Sequence, residues 1–259
     1  MKKIVLLVVC VLLPAALNAA EKSVSLATLT DFAPYCFRKD NAVQLLQERI
    51  APGEDSVQLQ GYSWDVVRRS FHEAGYTIDL YVVPWARVIH YLESGKVDAV
   101  FPANRTEKRE KIFDFSKGYV DSTRMVAYVP AGKELQWRGL DSLNGMRVGA
   151  VRGWAYGKKW EGNQEIHKES VDTILQSFQI MDKGRLDAVV GYEIVYDYIL
   201  EQERIEHKYK KAGYFGIVNE FLMINKGDME AKEKMDDFDR GRTILEKNGV
   251  IHEIIESWQ

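Results

Sequence analysis

From residue 21 onward the chain alternates short β-rich runs with amphipathic helical runs, and this alternation most narrows its fold. Ser23 to Thr30 reads as a strand. A helix follows from Ser63, with that serine as N-cap, Val66, Val67, Ser70, Phe71 and Ala74 at helical spacing, and Gly75 at its end. Thr77 to Val83 reads as a strand, Pro84 opens a helix with Ile89 and Leu92 inward, and Val97 to Phe101 is a short, mostly apolar strand. The second half repeats the grammar: strand Met146 to Val151, a helix after Gly153, helix Val171 to Asp182, strand Leu186 to Val190. Two closing helices end in an apolar stripe of Ile251, Ile254, Ile255 and Trp258. Strands alternating with helices predict α/β layers on largely parallel sheets.

Gly95-Lys96-Val97-Asp98-Ala99-Val100 and Gly184-Arg185-Leu186-Asp187-Ala188-Val189 each follow a helix and open a buried strand. The echo predicts two similar α/β lobes joined by crossing strands: residues 21–123 with 214–259 form one lobe and 124–213 the other. Residues 35–60, with Pro52-Gly53-Glu54-Asp55, read as an inserted surface loop.

Residues 1–20 read as an export signal, not fold. Lys2 and Lys3 precede the apolar run Ile4 to Leu13, and alanines 15, 16, 19 and 20 give a small-residue exit, with cleavage expected after Ala19 or Ala20. The run is shorter than the roughly 20 residues of a membrane span, so a periplasmic product is expected. With 46% hydrophobic and 28% charged residues and a net charge of -3, the chain is an ordinary globular composition that does not advertise nucleic acid as a partner. Cys36 is the one cysteine left after cleavage, so stability must come from core burial.

The signatures of catalysis are missing. There is no Gly-x-Ser-x-Gly elbow, no phosphate-cradling glycine loop, and the five histidines lack metal-ligand spacing. Neither a cofactor nor a metal is expected, and the sequence argues for binding of a small molecule.

In parallel α/β sheets ligands sit beyond the carboxyl ends of strands. There the sequence places Pro102-Ala103-Asn104-Arg105-Thr106-Glu107-Lys108-Arg109, where Arg109 or Arg105 suits a carboxylate and Thr106 suits an N-cap. Trp85, Phe32 and Tyr35 stand at strand-to-helix junctions, either as ligand walls or as core caps. In the second half, Arg152-Gly153-Trp154-Ala155-Tyr156 and Gly191-Tyr192-Glu193 occupy equivalent places.

The ordered series Gly61-Tyr62-Ser63-Trp64-Asp65, Pro84-Trp85, Gly95 to Val100, Thr106-Glu107-Lys108-Arg109, Phe113-Asp114-Phe115-Ser116, Leu143-Asn144-Gly145 and Gly184 to Val189 resembles the bacterial extracellular solute-binding proteins of family 3. The resemblance spans essentially all of the chain beyond the signal. It implies a type II periplasmic-binding-protein fold, two α/β lobes with a ligand cleft between them. It also implies a monomeric receptor delivering a small carboxylate-bearing solute, such as a polar amino acid, to an ABC permease in the inner membrane. By the same resemblance Arg109 clamps the ligand carboxylate, Trp85 and Phe32 supply aromatic walls, and Ala103 and Asn104 follow the strand. Two positions depart from the family pattern. Trp154 stands where serine or threonine is usual, and Tyr192, with Glu193 beside it, where an aspartate usually receives the ammonium. Either Glu193 turns inward or the ligand is not a standard α-amino acid, in which case Arg87 and Arg152 suit a second acidic group. Two alternatives share the fold: a cyclohexadienyl dehydratase-like enzyme using Glu193 as general acid, and a ligand-sensing partner of a membrane receptor.

Overall fold

A computed structural model describes residues 22–258, so the expected signal at 1–20 lies outside the described residues. The elements, in chain order, are β1 (Ser23–Thr28), β2 (Asp31–Phe32), β3 (Cys36–Arg38), β4 (Glu48–Ile50), β5 (Leu59–Gln60), α1 (Tyr62–Glu73), β6 (Thr77–Val82), α2 (Trp85–Glu93), β7 (Ala99–Asn104), α3 (Glu107–Glu110), β8 (Phe113–Pro130), β9 (Arg147–Val151), α4 (Gly157–Gly162), β10 (His167–Val171), α5 (Ile174–Asp182), β11 (Ala188–Tyr192), α6 (Glu193–Gln202), β12 (Tyr209–Asn225), α7 (Met229–Lys247) and α8 (Val250–Ser257).

The architecture is mixed α/β. One ladder of nine strands runs in the order β10-β9-β11-β8-β12-β7-β1-β6-β4. Parallel pairs hold each end: β1 with β6 and β7, and β9 with β10 and β11. Between them β8 and β12, of 18 and 17 residues, pair antiparallel along nearly their whole lengths and carry the chain from one lobe to the other. Four register irregularities interrupt that pairing, two of them beside Phe221, and such bulges bend and twist long strands.

Helices cover the ladder because each has one apolar stripe to hide. In α1 the buried side chains are Trp64, Val66, Val67, Ser70 and Phe71, joined by Ser63; fully burying a large apolar residue contributes about 1.5–3 kcal/mol. The N-cap of α1 is Gly61 rather than Ser63. Ser63 does not cap because its hydroxyl donates to Asp121 Oδ2 at 2.5 Å, across the lobe. Gly61 in turn has φ 128°, and a Cβ there would stand 2.4 Å from the Tyr35 carbonyl oxygen, so only glycine fits the entry to the helix.

Three further expectations are adjusted. The strand expected at Val97 to Phe101 begins at Ala99 and runs to Asn104, because β12 offers a partner: Val100, Ala103 and Asn104 pair with Met223, Phe221 and Glu220. The helix expected from Val171 starts at Ile174 with Thr173 as its cap, and Val171 closes β10, whose four exposed residues hid its strand character. Residues 35–60 are more than loop: they hold β3, β4 and β5. β4 adds an antiparallel edge strand to β6, and buried Glu48 accepts from Ser56 Oγ at 2.7 Å and the Val57 amide at 2.6 Å.

Cys36 is fully buried, with its sulfur 2.9 Å from Thr28 Oγ1. Burial pushes its thiol well above the ordinary range, so it behaves as a packed side chain.

Candidate functional site

Beyond the carboxyl ends of β1, β7, β9 and β11, where the lobes face each other, lies a cavity with about 40 Å³ open to water-sized molecules. That is far smaller than an ordinary ligand pocket. The first lobe contributes Leu29 and Phe32 after β1, Trp85 at the start of α2, Pro102 and Asn104 from β7, and Arg109 from α3. The second contributes Gly153, Trp154 and Ala155 after β9 and Tyr192 at the end of β11; Glu220, from β12, closes the floor.

Arg109 is held by its local sequence. Thr106 Oγ1 accepts from the Arg109 amide at 3.2 Å and so caps the short α3 turn, which aims the side chain back along β7. Its Nη1 donates to the Asn104 carbonyl at 3.0 Å and also to Asn104 Oδ1. The guanidinium carbon sits 5.4 Å from the Trp85 ring centroid, a cation–π contact. Burial pulls its pKa below the ordinary value, with Glu220 opposing, yet the group stays charged at neutral pH.

The opposite wall is aromatic. Trp154 and Tyr192 lie 5.1 Å apart by ring centroids, and Phe32 meets Trp154 edge-on at 5.5 Å and Tyr192 at 6.0 Å. The Tyr192 hydroxyl donates to the Ala155 carbonyl at 2.8 Å and accepts from Asn104 Nδ2 at 3.2 Å. Tryptophan and tyrosine here fill space that a serine or aspartate would leave open, which narrows the cavity.

Beneath the cavity, Glu220 and Asp121 are cross-strand partners on β12 and β8, exposed by 6% and 0%. Their carboxyl groups hydrogen-bond to each other. Among the described residues no N–H or O–H group donates to Asp121 Oδ1 or Glu220 Oε2, so a proton must lie between the two carboxyls. Burial raises both: Asp121 is pushed up to about 7, and Glu220, further raised by the charge of Asp121, goes well above the carboxylate range.

The structure thus brings together Phe32, Trp85, Asn104, Arg109, Trp154 and Tyr192 around one cavity. Four other expected residues stand elsewhere. Ala103, between Pro102 and Asn104 on the strand, points away from the cavity and is buried in the core cluster that holds Ala27, Val88 and Met223. Arg87 is exposed on α2 outside the cavity, and Arg152 is exposed and paired with Asp172 at 3.3 Å. Glu193 does not turn inward. It accepts from Arg124 Nε at 2.6 Å, Lys211 Nζ at 2.7 Å and the Tyr214 hydroxyl at 2.7 Å, all on the long strands outside the cavity. Burial alone would raise Glu193, but these donors outweigh it and hold the carboxyl below its ordinary value. Arg105, the other candidate clamp, is turned away, with its guanidinium over Phe221 at 4.6 Å. Glu220 was missed, because a glutamate in the middle of a long strand carries no motif.

Comparison with known proteins bears on the family and the fold. The family model of the bacterial extracellular solute-binding proteins, family 3, matches residues 24–259. The chain belongs to that family. As a family 3 protein it shares the periplasmic-binding-protein fold with three solved structures. A histidine kinase sensor domain with similarity to periplasmic binding proteins aligns with TM-score 0.74 at 20% identity, over 92% of this chain and 96% of that one. An ancestral arginine-binding protein bound to arginine aligns at 0.71 and 23%, over 91% and 97%. The substrate-binding protein of an amino acid ABC transporter aligns at 0.67 and 19%, over 91% and 98%. No curated protein matches the chain.

Proposed function

We propose that this family 3 protein is a periplasmic receptor that closes its two lobes on a small carboxylate-bearing solute, a polar amino acid or a related compound, and delivers it to an ABC permease. One lobe comprises residues 21–123 with 214–259 and the other 124–213, and β8 and β12 act as the hinge between them. The observation that carries the reading is Arg109: a half-buried guanidinium on the cavity wall, oriented by Asn104 and Trp85, with no carboxylate in ion-pair contact among the described residues. A guanidinium fork so placed matches a carboxylate with two parallel hydrogen bonds. The aromatic wall covers the rest of the solute and keeps water from the ion pair.

A ligand-sensing partner of a membrane receptor would use the same cavity. The likeness in fold to a sensor domain fits that variant, which differs only in the protein that recognises the closed form. The dehydratase reading has less support, since Glu193 is engaged by three donors outside the cavity.

The test is a thermal-shift screen with amino acids and organic acids on wild type and Arg109→Ala. The expected result is a set of stabilising carboxylates that lose their effect in the variant. Identical responses in both proteins would overturn the clamp assignment.

A further inference from the structure

Asn104, Glu220 and Asp121 stand in one row across three adjacent strands: Asn104 pairs with Glu220 between β7 and β12, and Glu220 pairs with Asp121 between β12 and β8. Asn104 and Glu220 line the cavity, whereas Asp121 lies behind Glu220 and accepts from Ser63 Oγ. The row places a proton-sharing carboxyl pair under the same cavity that Arg109 borders, and no ion pair joins Arg109 to Glu220 among the described residues. The cavity therefore has a positive group and a negative group on its wall that face it without neutralising each other by contact.

We infer that Glu220, backed by Asp121, is the acceptor for an ammonium group on the bound solute, so that the cavity selects zwitterionic amino acids over the corresponding simple carboxylic acids. The inference rests on reading Arg109 as the carboxylate clamp and assigns the other end of the solute. With one shared proton the carboxyl pair carries one negative charge, and Arg109 carries one positive charge. A zwitterion adds no net charge, so its carboxylate at Arg109 and its ammonium at Glu220 leave the buried site balanced. A simple carboxylate leaves one uncompensated negative charge in a site poor in water, which is costly unless the pair takes up a second proton. The titratable groups that face the pair are Tyr35, Cys36 and Tyr62 from the side of β3 and α1, Tyr192 from β11, and Arg109 from α3. Burial holds the tyrosines and the thiol neutral, so Arg109 is the only charged one of the five. Glu220 thus fills the role left open by Tyr192 and by the outward turn of Glu193.

The test titrates the twenty protein L-amino acids and the deaminated acid of each (propionate for alanine, 3-phenylpropionate for phenylalanine, glutarate for glutamate) into wild type, Glu220→Gln and Asp121→Asn by calorimetry at pH 8, where the pair holds one proton. Each titration is run in phosphate and in Tris, so that the difference in heat counts protons exchanged. In wild type the best-bound amino acid is expected to exceed its deaminated partner by about tenfold or more, the worth of a hydrogen bond to a charged group. The deaminated acid should take up about one proton and the amino acid about none, a readout that needs no variant to fold. Glu220→Gln should abolish the preference. Asp121→Asn should keep it, because the asparagine amide can donate where the shared proton stood and leave Glu220 free to ionise. An equal preference in wild type and Glu220→Gln, or the same proton count for both members of a pair, would overturn the Glu220 assignment and leave the Arg109 reading standing. Failure of every compound in both series to bind wild type would overturn the Arg109 reading itself.

Discussion

Asn104 at the end of β7 and Tyr192 at the end of β11 are hydrogen-bonded across the cavity, side-chain amide to hydroxyl at 3.2 Å. Asn104 also accepts from Arg109, so one residue of the first lobe touches both the cation and the aromatic wall of the second. Asn104 thus couples the Arg109 guanidinium to the Tyr192 hydroxyl on the facing wall.

Removing the Tyr192 hydroxyl tests that coupling. Tyr192→Phe keeps the ring contacts but loses the bonds to Asn104 and to the Ala155 carbonyl. The cost is about 1 kcal/mol, seen as a melting temperature lower by about 2–4 °C. Small-angle scattering of the variant should show a more open average shape than wild type; an unchanged melt and profile would show that the contact does not hold the lobes together.

The Asp121–Glu220 pair makes stability fall as pH rises. Both groups are raised in the folded state, so near neutral pH the folded chain binds more protons than the unfolded one. The contribution is fully present below the ordinary carboxylate range, and is lost as pH rises through about 7, the value for Asp121, and beyond it through the higher one for Glu220. Denaturant melts from pH 5 to 8 should show this pair subtracting about 1 kcal/mol per pH unit in wild type. Much less should be lost in Glu220→Gln, whose amide can donate to an ionised Asp121. Parallel pH profiles for the two proteins would remove the buried proton from the account.

Glu193 has the opposite sign. Its folded value lies below its ordinary one, so its contribution is present above the normal carboxylate range and lost as pH falls through the depressed value. Glu193→Gln should cost about 1–2 kcal/mol at neutral pH, a modest figure because Arg124 is 55% exposed and screened by solvent. Solute affinity should be unchanged. A large loss of affinity in calorimetric titration, or loss of a prephenate or arogenate turnover present in wild type, would return Glu193 to the cavity.

The fold was legible because its signals are local. The paired Gly-basic-x-Asp-Ala-Val segments do mark two helix-to-strand junctions, and Arg109 sits on a turn whose cap, Thr106, is three residues away. Trp85, Phe32, Asn104 and Tyr192 reach the cavity from strand ends, where the alternation of elements already places ligands. What was illegible depends on partners distant in sequence. Ser63 serves Asp121, 58 residues away, rather than its own helix, and Glu193 finds Lys211 and Tyr214 on a strand whose register no local pattern declares. Ala103 and Asn104 differ by one position, and only the face of β7 decides which of them meets the cavity. Glu220 gives no local warning, since its role comes from two cross-strand neighbours.

The proposed clamping of a small solute's carboxylate by Arg109 between the lobes is tested most directly by native mass spectrometry of the protein purified from the periplasm without refolding. One small carboxylate-bearing molecule is expected per wild-type chain, released on denaturation, and none on Arg109→Ala folded to the same circular dichroism spectrum. A bound molecule without a carboxylate, or equal retention by both proteins, would contradict it.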